Sequence, residues 1–459
     1  MNQETVSVGN YIIVQKQDYR KVCRVSRDGT FSLGKEQVEM AGVINKPYWT
    51  TFKMIGPVST SKNGLKTITL EVAEKAETSE NLHKGLASGS DNRSINDDGM
   101  SQKLSKAEIE DLREAGKSSK EIVGYLIENS SSFSSKTEYS QEKYIKKKET
   151  KYCRYLTILK PTVGLLQEIY FRQDPGRVNG LRMDTLSQLL SYCDVKSDGK
   201  YLLYDGGSCG LSAAAMLSRI GAKTQGTLIN LHPGNQPNLT LVHAMNFSDE
   251  QLKRMLAVNL YTFLRLYYQG DEVILEELAK KYELSALKRR NSDHLHGDNN
   301  SKKSRLASDV ADDDSTTTSE EEEKKLNHVL ETVIEAADDN IVKTTSFNKP
   351  KWFNETKEVV DCLKASKADG LAIVAKEHPL NIVNALLPFL EASKPFVIHH
   401  CYREPLQETY VALKSRRDVI NLRLLSNFCR GYQVLPNRTH PEITTNDLGG
   451  YLLAGYLVS

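Results

Sequence analysis

Apolar residues recur along this chain in two rhythms. From residue 1 to 72 they come in short clusters with β-branched content, Tyr11-Ile12-Ile13-Val14 and Leu65-Lys66-Thr67-Ile68-Thr69-Leu70 among them, which predict strands. Asp28-Gly29 signals a tight turn between Val22–Val25 and Phe31–Leu33. Short strands with turn residues between them predict a small sheet or barrel. Residues 73–101 are polar, with Ser, Asn, Asp and Gly throughout, and read as a disordered loop or insertion. Two helices follow. Ser105-Lys106-Ala107-Glu108 is a capping box whose helix stops at Gly116, and Ser118-Ser119-Lys120-Glu121 is a second box. The helix it opens carries Ile122, Val123, Leu126 and Ile127 on one face. The pair reads as a packing hairpin rather than a DNA-reading helix-turn-helix.

From about residue 156 the rhythm changes to strands alternating with helices. Leu156–Leu159, Tyr201–Tyr204 and Thr227–Leu231 read as strands, Leu211–Ile220 as a helix, and residues 249–287 as mostly helical. Residues 289–325 are charged, Ser/Thr-rich and nearly free of large apolar side chains, the composition of a disordered linker. The alternation then resumes: Gly370–Ala375 as a buried strand, Pro379–Ala392 as a helix, Phe396–His399 as a strand, Pro405–Arg416 as a helix and Ile420–Leu425 as a strand. Tyr451–Val458 closes the chain as a strand after Gly449-Gly450. This pattern predicts a mostly parallel, doubly wound α/β sheet. The expected organisation is a β-rich domain over residues 1–155, with its insertion and helical hairpin, followed by an α/β domain over residues 156–459 interrupted by the linker.

At 459 residues the chain is long enough for two or three domains. No apolar run approaches the roughly 18 residues of a membrane span, and the N-terminus lacks the basic start and apolar stretch of a signal peptide. Neither secretion nor membrane insertion is expected. The seven cysteines are odd in number and contain no C-x-x-C, which disfavours a disulfide scaffold or a thiolate zinc site and suits a reducing compartment. His399-His400 reads as a strand end rather than a metal site. The net charge of +2 hides segregation. Lys136 to Lys160 holds eight basic and three acidic residues, Lys288 to Arg305 six and two, and Asp309 to Glu323 eight acidic and no basic ones.

Tyr201 to Gly210 reads YLLYDGGSCG, a strand running into a glycine turn and then a helix, the setting of a nucleotide crevice. Methyltransferases of this architecture place an acid and then three glycines spaced by one. With Gly206 and Gly210 aligned, Ser208 stands at the middle glycine and Tyr204 at the acid. The next strand ends Asn230-Leu231-His232-Pro233, without the carboxylate that grips ribose hydroxyls. After Gly370–Ala375 come Lys376-Glu377-His378. Glu377 and His378 are conceivable general bases, but without a cofactor site they read as loop residues.

Three features together resemble a known family: Glu142-Lys143-Tyr144-Ile145-Lys146-Lys147-Lys148, the degenerate glycine turn, and Arg438-Thr439-His440-Pro441 followed by Gly449-Gly450-Tyr451-Leu452-Leu453. The chain resembles the non-catalytic subunit of the eukaryotic tRNA (adenine-58-N1) methyltransferase over nearly its whole length outside the two polar insertions. The resemblance implies an N-terminal β-barrel-like domain and a C-terminal methyltransferase-like Rossmann domain with a degenerate cofactor site. It implies no catalytic residue and no cofactor on this chain. S-adenosylmethionine would be bound by a homologous catalytic subunit, in a heterotetramer of two such pairs. The substrate would be tRNA, including initiator tRNA. In the catalytic subunit's pattern the second-strand acid falls on His232 and the catalytic Asp on Val374. An active methyltransferase and a translation-initiation scaffold are the competing readings.

Lys143, Lys146, Lys147, Lys148, Lys151 and Arg154 interleave with Tyr139, Tyr144, Tyr152 and Tyr155. Cations neutralise phosphates and tyrosines stack on bases, so with the resemblance these six, together with Arg438 and His440, are the candidate RNA contacts. Read alone, the run is a solvated helix face, as most lysine runs are. Lys288-Arg289-Arg290 and Lys302-Lys303-Ser304-Arg305 have the separation of a bipartite nuclear import signal. A crevice without its cofactor forgoes ligand stabilisation, so the chain is expected to depend on its partner for full stability.

Overall fold

The computed structural model describes residues 4–34, 36–60, 66–73, 89, 101–114, 117, 119–281, 349–434, 439–443 and 449–458. Most of the polar insertion, the whole linker with both basic clusters, Gly116, Ser118 and Arg438 lie outside these residues. The chain forms two compact units, Met1–Leu260 with Asp361–Ser459, and Tyr261–Val360. Within the second, Arg265 pairs with Glu277 and Lys357 with Asp271. No described helix is long and apolar enough to cross a membrane.

The first unit begins with a seven-stranded sheet: β1 (Tyr11–Lys16), β2 (Tyr19–Arg24), β3 (Thr30–Leu33), β4 (Glu36–Glu39), β5 (Thr51–Thr60), β6 (Lys66–Val72) and β7 (Tyr155–Leu159), in the order β2-β1-β7-β5-β6-β4-β3. Strands β2 and β3 follow one another in the chain yet occupy opposite edges of the ladder. Asp28-Gly29 is thus part of a connection across the rolled sheet, not of a hairpin. Lys21 on β2 donates to Ser32 Oγ (2.9 Å) and Ser32 O (3.2 Å) on β3, joining the two edges through a side chain. Inside lie Ile12, Val14, Phe31, Phe52, Ile68 and Ile158, all buried. This is the expected β-barrel-like domain, with one correction. Leu156–Leu159 was expected to open the α/β domain, but β7 pairs with both β1 and β5, so the barrel runs past residue 155. An apolar strand at a domain junction carries no mark of which sheet it will join.

Between β6 and β7 sit helices α1 (Lys106–Glu114), α2 (Ser119–Glu128) and α3 (Glu138–Tyr152). The first capping box forms as read: Glu108 N donates to Ser105 Oγ (3.2 Å) and Ser105 N to Glu108 Oε2 (2.7 Å). Ile122 and Leu126 of α2 pack with Tyr152 of α3, and Val123 packs with Ile145.

The second sheet is built from β8 (Lys200–Asp205), β9 (Thr227–His232), β10 (Met255–Asn259), β11 (Gly370–Val374), β12 (Pro395–His400), β13 (Val419–Ser426) and, after the small β14 (Tyr432–Gln433) and β15 (His440–Pro441) pair, β16 (Tyr451–Leu457). Its order is β10-β9-β8-β11-β12-β16-β13. The first five are parallel and β16 runs antiparallel between β12 and β13. The chain leaves β8 towards β9 and later returns to β11 on its other side. The switch point, where ligands sit in such folds, therefore falls between β8 and β11. Strands β11 and β12 are buried along their whole length, covered on both faces as parallel sheets require. Helices α4 (Val163–Gln173), α5 (Met183–Tyr192) and α6 (Leu211–Ile220) supply much of one layer.

Two element readings change. Residues 249–287 were expected to be helical, yet Met255–Asn259 forms β10, because a short apolar run has no period that separates buried strand from helix. The helix expected over Pro379–Ala392 ends at Leu386 and passes into a 3-10 turn, since Pro388 lacks the N–H that would continue the ladder. The barrel docks through β1. Asn246 accepts from Tyr11 N and donates to Tyr11 O, both at 2.7 Å, Arg20 pairs with Glu168, and Ile13 enters the core of the second sheet.

His399 lies fully buried on β12. Gly450, at φ +67°, approaches so closely that a β-carbon there would fall 2.3 Å from His399 Nε2. Burial, reinforced by neighbouring His400, pushes the imidazole down from 6.5 to about 3. The unfolded chain takes up this proton near pH 6.5 while the folded chain resists it, so the fold loses stability as pH falls from 6.5 towards 3. Each pH unit in that window costs on the order of 1 kcal/mol. His399→Gln should show a shallower fall in melting temperature between pH 7 and 4.5 than the wild type; identical falls would refute this assignment.

Candidate functional site

At the C-terminal end of β8, Asp205 is almost completely buried. Its Oδ1 accepts from Gly207 N (3.0 Å) and Ser208 N (2.7 Å), and its Oδ2 from Ser208 Oγ (2.6 Å) and Ser212 Oγ (3.0 Å). One carboxylate thus closes the glycine turn onto the start of α6. Tyr204 stands at the expected acid position, but the turn's carboxylate comes from the next residue. Tyr204 is buried instead, with its hydroxyl donating to Glu377 Oε2 (3.2 Å). Burial, then the Glu377 charge, pushes that phenol well up, so it stays a protonated donor.

S-adenosylmethionine does not fit these residues. The turn lies under the protein's own side chains. A β-carbon at Gly207 (φ +137°) would be 2.8 Å from Lys376 Cε and Nζ, and one at Gly206 would be 3.0 Å from Glu377 Oε2. At the ribose position, His232 is buried and its Nδ1 lies 2.8 Å from Gly234 O. A carbonyl only accepts, so Nδ1 carries the proton, and burial lowers the pKa and favours the neutral ring. A neutral imidazole engaged in this way offers no carboxylate to two hydroxyls. Val374, where the resemblance expects a catalytic Asp, is buried and pairs in the ladder with Asp205 and His399. Glu377 is bound by Tyr204, and His378 holds Glu408 (2.9 Å) while capping Leu380 N (3.4 Å). Both conceivable bases serve as loop structure. The crevice lacks the acids the resemblance expects, as read from the sequence, and the exposed side chains of Lys376 and Glu377 reach over its glycine turn.

The basic segment forms α3. Its inward face carries Gln141, Ile145 and Tyr152, all buried. Lys143, Lys147 and Lys151 repeat every fourth residue on the exposed side, with Lys146 exposed beside them. Lys148 is half-buried on the flank, its Nζ 5.2 Å from the centre of the Tyr144 ring. Burial lowers its pKa, and the charges of Lys151, Lys147 and Lys136 lower it further.

Arg154 does not belong with these residues. It is buried beyond the helix, donating to Met54 O (3.1 Å) and Gly56 O (3.0 Å) of β5 and lying 3.6 Å from Glu36. Its guanidinium ties the barrel together and is not presented to RNA. His440 is exposed on β15, its Nδ1 2.8 Å from Pro441 O, on the small hairpin and not on α3. Three side chains of consequence went unnoticed in the sequence: Asp205, Lys376 and Lys136. Asp205 had a signal, an acid directly between a buried strand and Gly-Gly-Ser; the other two are long side chains whose reach no spacing discloses.

Two outcomes follow from this geometry. Restoring an acid with His232→Asp should leave S-adenosylmethionine binding to the chain undetectable by calorimetry, because Lys376 and Glu377 still cover the turn; micromolar binding would refute the closure. Arg154→Ala should lower stability by about 3 kcal/mol or more in thermal unfolding, whereas Lys147→Ala should stay within about 0.5 kcal/mol of the wild type. Equal melting temperatures for the two would return Arg154 to the surface.

The model of the Gcd10p family matches residues 5–288. The tRNA (adenine(58)-N(1))-methyltransferase non-catalytic subunit TRM6 of Mus musculus is 31% identical over 465 residues, covering 98% of this chain and 88% of that protein. Its namesake in Dictyostelium discoideum is 27% identical, covering 99% of this chain and 80% of that protein. Among solved structures, tRNA (m1A58) methyltransferase TrmI from Aquifex aeolicus aligns with 99% of this chain and 100% of its own at 8% identity, with a TM-score of 0.40. On the extent of the family match and the near-complete coverage of this chain by these relatives, the chain belongs to the Gcd10p family.

Proposed function

We infer that this chain is the non-catalytic, tRNA-binding subunit of a tRNA (adenine-58-N1) methyltransferase, and that it works beside a homologous catalytic subunit that binds S-adenosylmethionine. The observation that carries the reading is the glycine turn covered by Lys376 and Glu377, in a chain matched over 98% of its length by a relative named as a non-catalytic subunit. A crevice that cannot take the methyl donor leaves binding and assembly as the chain's contribution. The exposed lysine stripe of α3 supplies the binding surface. Lysines that neutralise phosphates hold the substrate without reading its sequence, while the chemistry proceeds at the partner's centre. The barrel docked on the sheet keeps α3 in place relative to the rest of the first unit.

The family resemblance supports the finer points of the proposal. The substrate is tRNA, initiator tRNA included, and two catalytic–non-catalytic pairs form a heterotetramer in which each subunit stabilises the other. The two basic clusters, Lys288-Arg289-Arg290 and Lys302-Lys303-Ser304-Arg305, support work in the nucleus.

The test is methyl transfer to unmodified tRNA by the chain purified alone and by the chain co-purified with its catalytic homologue, read as 1-methyladenosine. The pair should form the product and the chain alone should form none above background. Turnover by the chain alone, free of partner, would overturn the reading.

A further inference from the structure

The exposed lysines of α3 are not its most constrained cations. Lys136, just ahead of the N-cap Thr137, places its Nζ 5.1 Å from the centre of the Tyr144 ring, and Lys148 places its own 5.2 Å from the same centre. The two ammonium groups are therefore no more than about 10 Å apart. The ring they share is held in place. Phe133 packs against it edge-on at 5.5 Å, and Gln102 Nε2 reaches its hydroxyl at 3.5 Å. Among the described residues no carboxylate forms an ion pair with Lys136 or Lys148.

Half-buried ammonium groups are normally compensated by an acid, because burial strips water that a bare charge needs. Among the described residues the face of Tyr144 is the contact that compensates these two cations, and a face attracts a cation less than a carboxylate does. Lys147 and Lys151 add like charge, as their effect on Lys148 records. The positive end of α3 adds more beside Lys136, offset by Glu138 in the first turn. An anion reaching both ammonium groups would supply the opposite charge that the ring does not.

We propose that Lys136 and Lys148, held against the ring of Tyr144, form a paired seat for the phosphodiester backbone of the bound RNA, with Tyr144 as the positioning residue. This rests on the RNA-binding reading above and assigns it a centre. Lys143, Lys146, Lys147 and Lys151 sit around that centre on the exposed side of the helix, and Lys136 joins the interface although it precedes the helix.

The experiment is a salt series of tRNA binding by the chain co-purified with its catalytic partner, with melting curves to verify folding. Lys136→Ala and Lys148→Ala should each reduce the slope of log affinity against log salt by roughly 0.7–0.9, equivalent to about threefold in relative affinity between 50 and 200 mM salt. Tyr144→Leu, which keeps every charge, should weaken binding at low salt, and Tyr144→Phe, which restores the ring, should recover it. Loss in Tyr144→Leu without recovery in Tyr144→Phe would overturn the positioning role. If Lys136→Ala and Lys148→Ala leave the slope unchanged while Lys146→Ala with Lys147→Ala reduces it, the paired seat is wrong and RNA binding by α3 stands. If all these variants bind as the wild type does, both the seat and the RNA-binding role of α3 fall.

Discussion

The carboxylate of Asp205 is the constraint on which the functional half of this molecule depends. A strand feeding a helix through glycines leaves backbone N–H groups pointing at the crevice, and in a nucleotide-binding protein a ligand shares them. Here Asp205 takes two of them, together with two serine hydroxyls, and is buried while doing so. The turn is satisfied from within. Lys376 and Glu377 then lie where a cofactor would approach, and Tyr204 fixes Glu377 from below. The methyltransferase-like framework persists because the parallel strands and their helices bury a continuous core whether or not a ligand is present.

A framework freed from chemistry still positions surfaces. The clasp of Asn246 on Tyr11, with Ile13 buried in the neighbouring core, makes barrel and sheet one body. Helix α3 packs on α2 through Ile145 and Tyr152, and the chain then passes through Arg154 into β7, between β1 and β5 of the barrel. Its inner face is apolar and its outer face is lysine. Rigid seating of a basic face suits a subunit whose part is to hold a polyanion while another subunit reacts with it.

Much of this was legible in the sequence. Helix α6 has the bounds read from its apolar pattern, and β8, β9, β11 and β12 differ from their readings only at the ends, because buried parallel strands are continuous apolar runs. The loss of the ribose-binding acid at His232 was visible as a missing residue type. The filling of the crevice was not, because the reach of Lys376 over Gly207 depends on a loop geometry that no spacing encodes. Arg154 was misread because an arginine in a basic run looks the same whether it faces solvent or the carbonyls of a neighbouring strand. Strand β7 was misplaced for a related reason: its partners, β1 and β5, lie about a hundred residues or more away in sequence.

On the proposed function, this chain brings a crevice covered by Lys376 and Glu377 to a complex whose methyl donor is bound by the partner. Counting S-adenosylmethionine bound at saturation by the co-purified complex tests it most directly, by equilibrium dialysis with the subunit ratio fixed by mass. One molecule per catalytic–non-catalytic pair is expected. Two per pair would mean that the crevice beside Asp205 opens to the cofactor, and would contradict it.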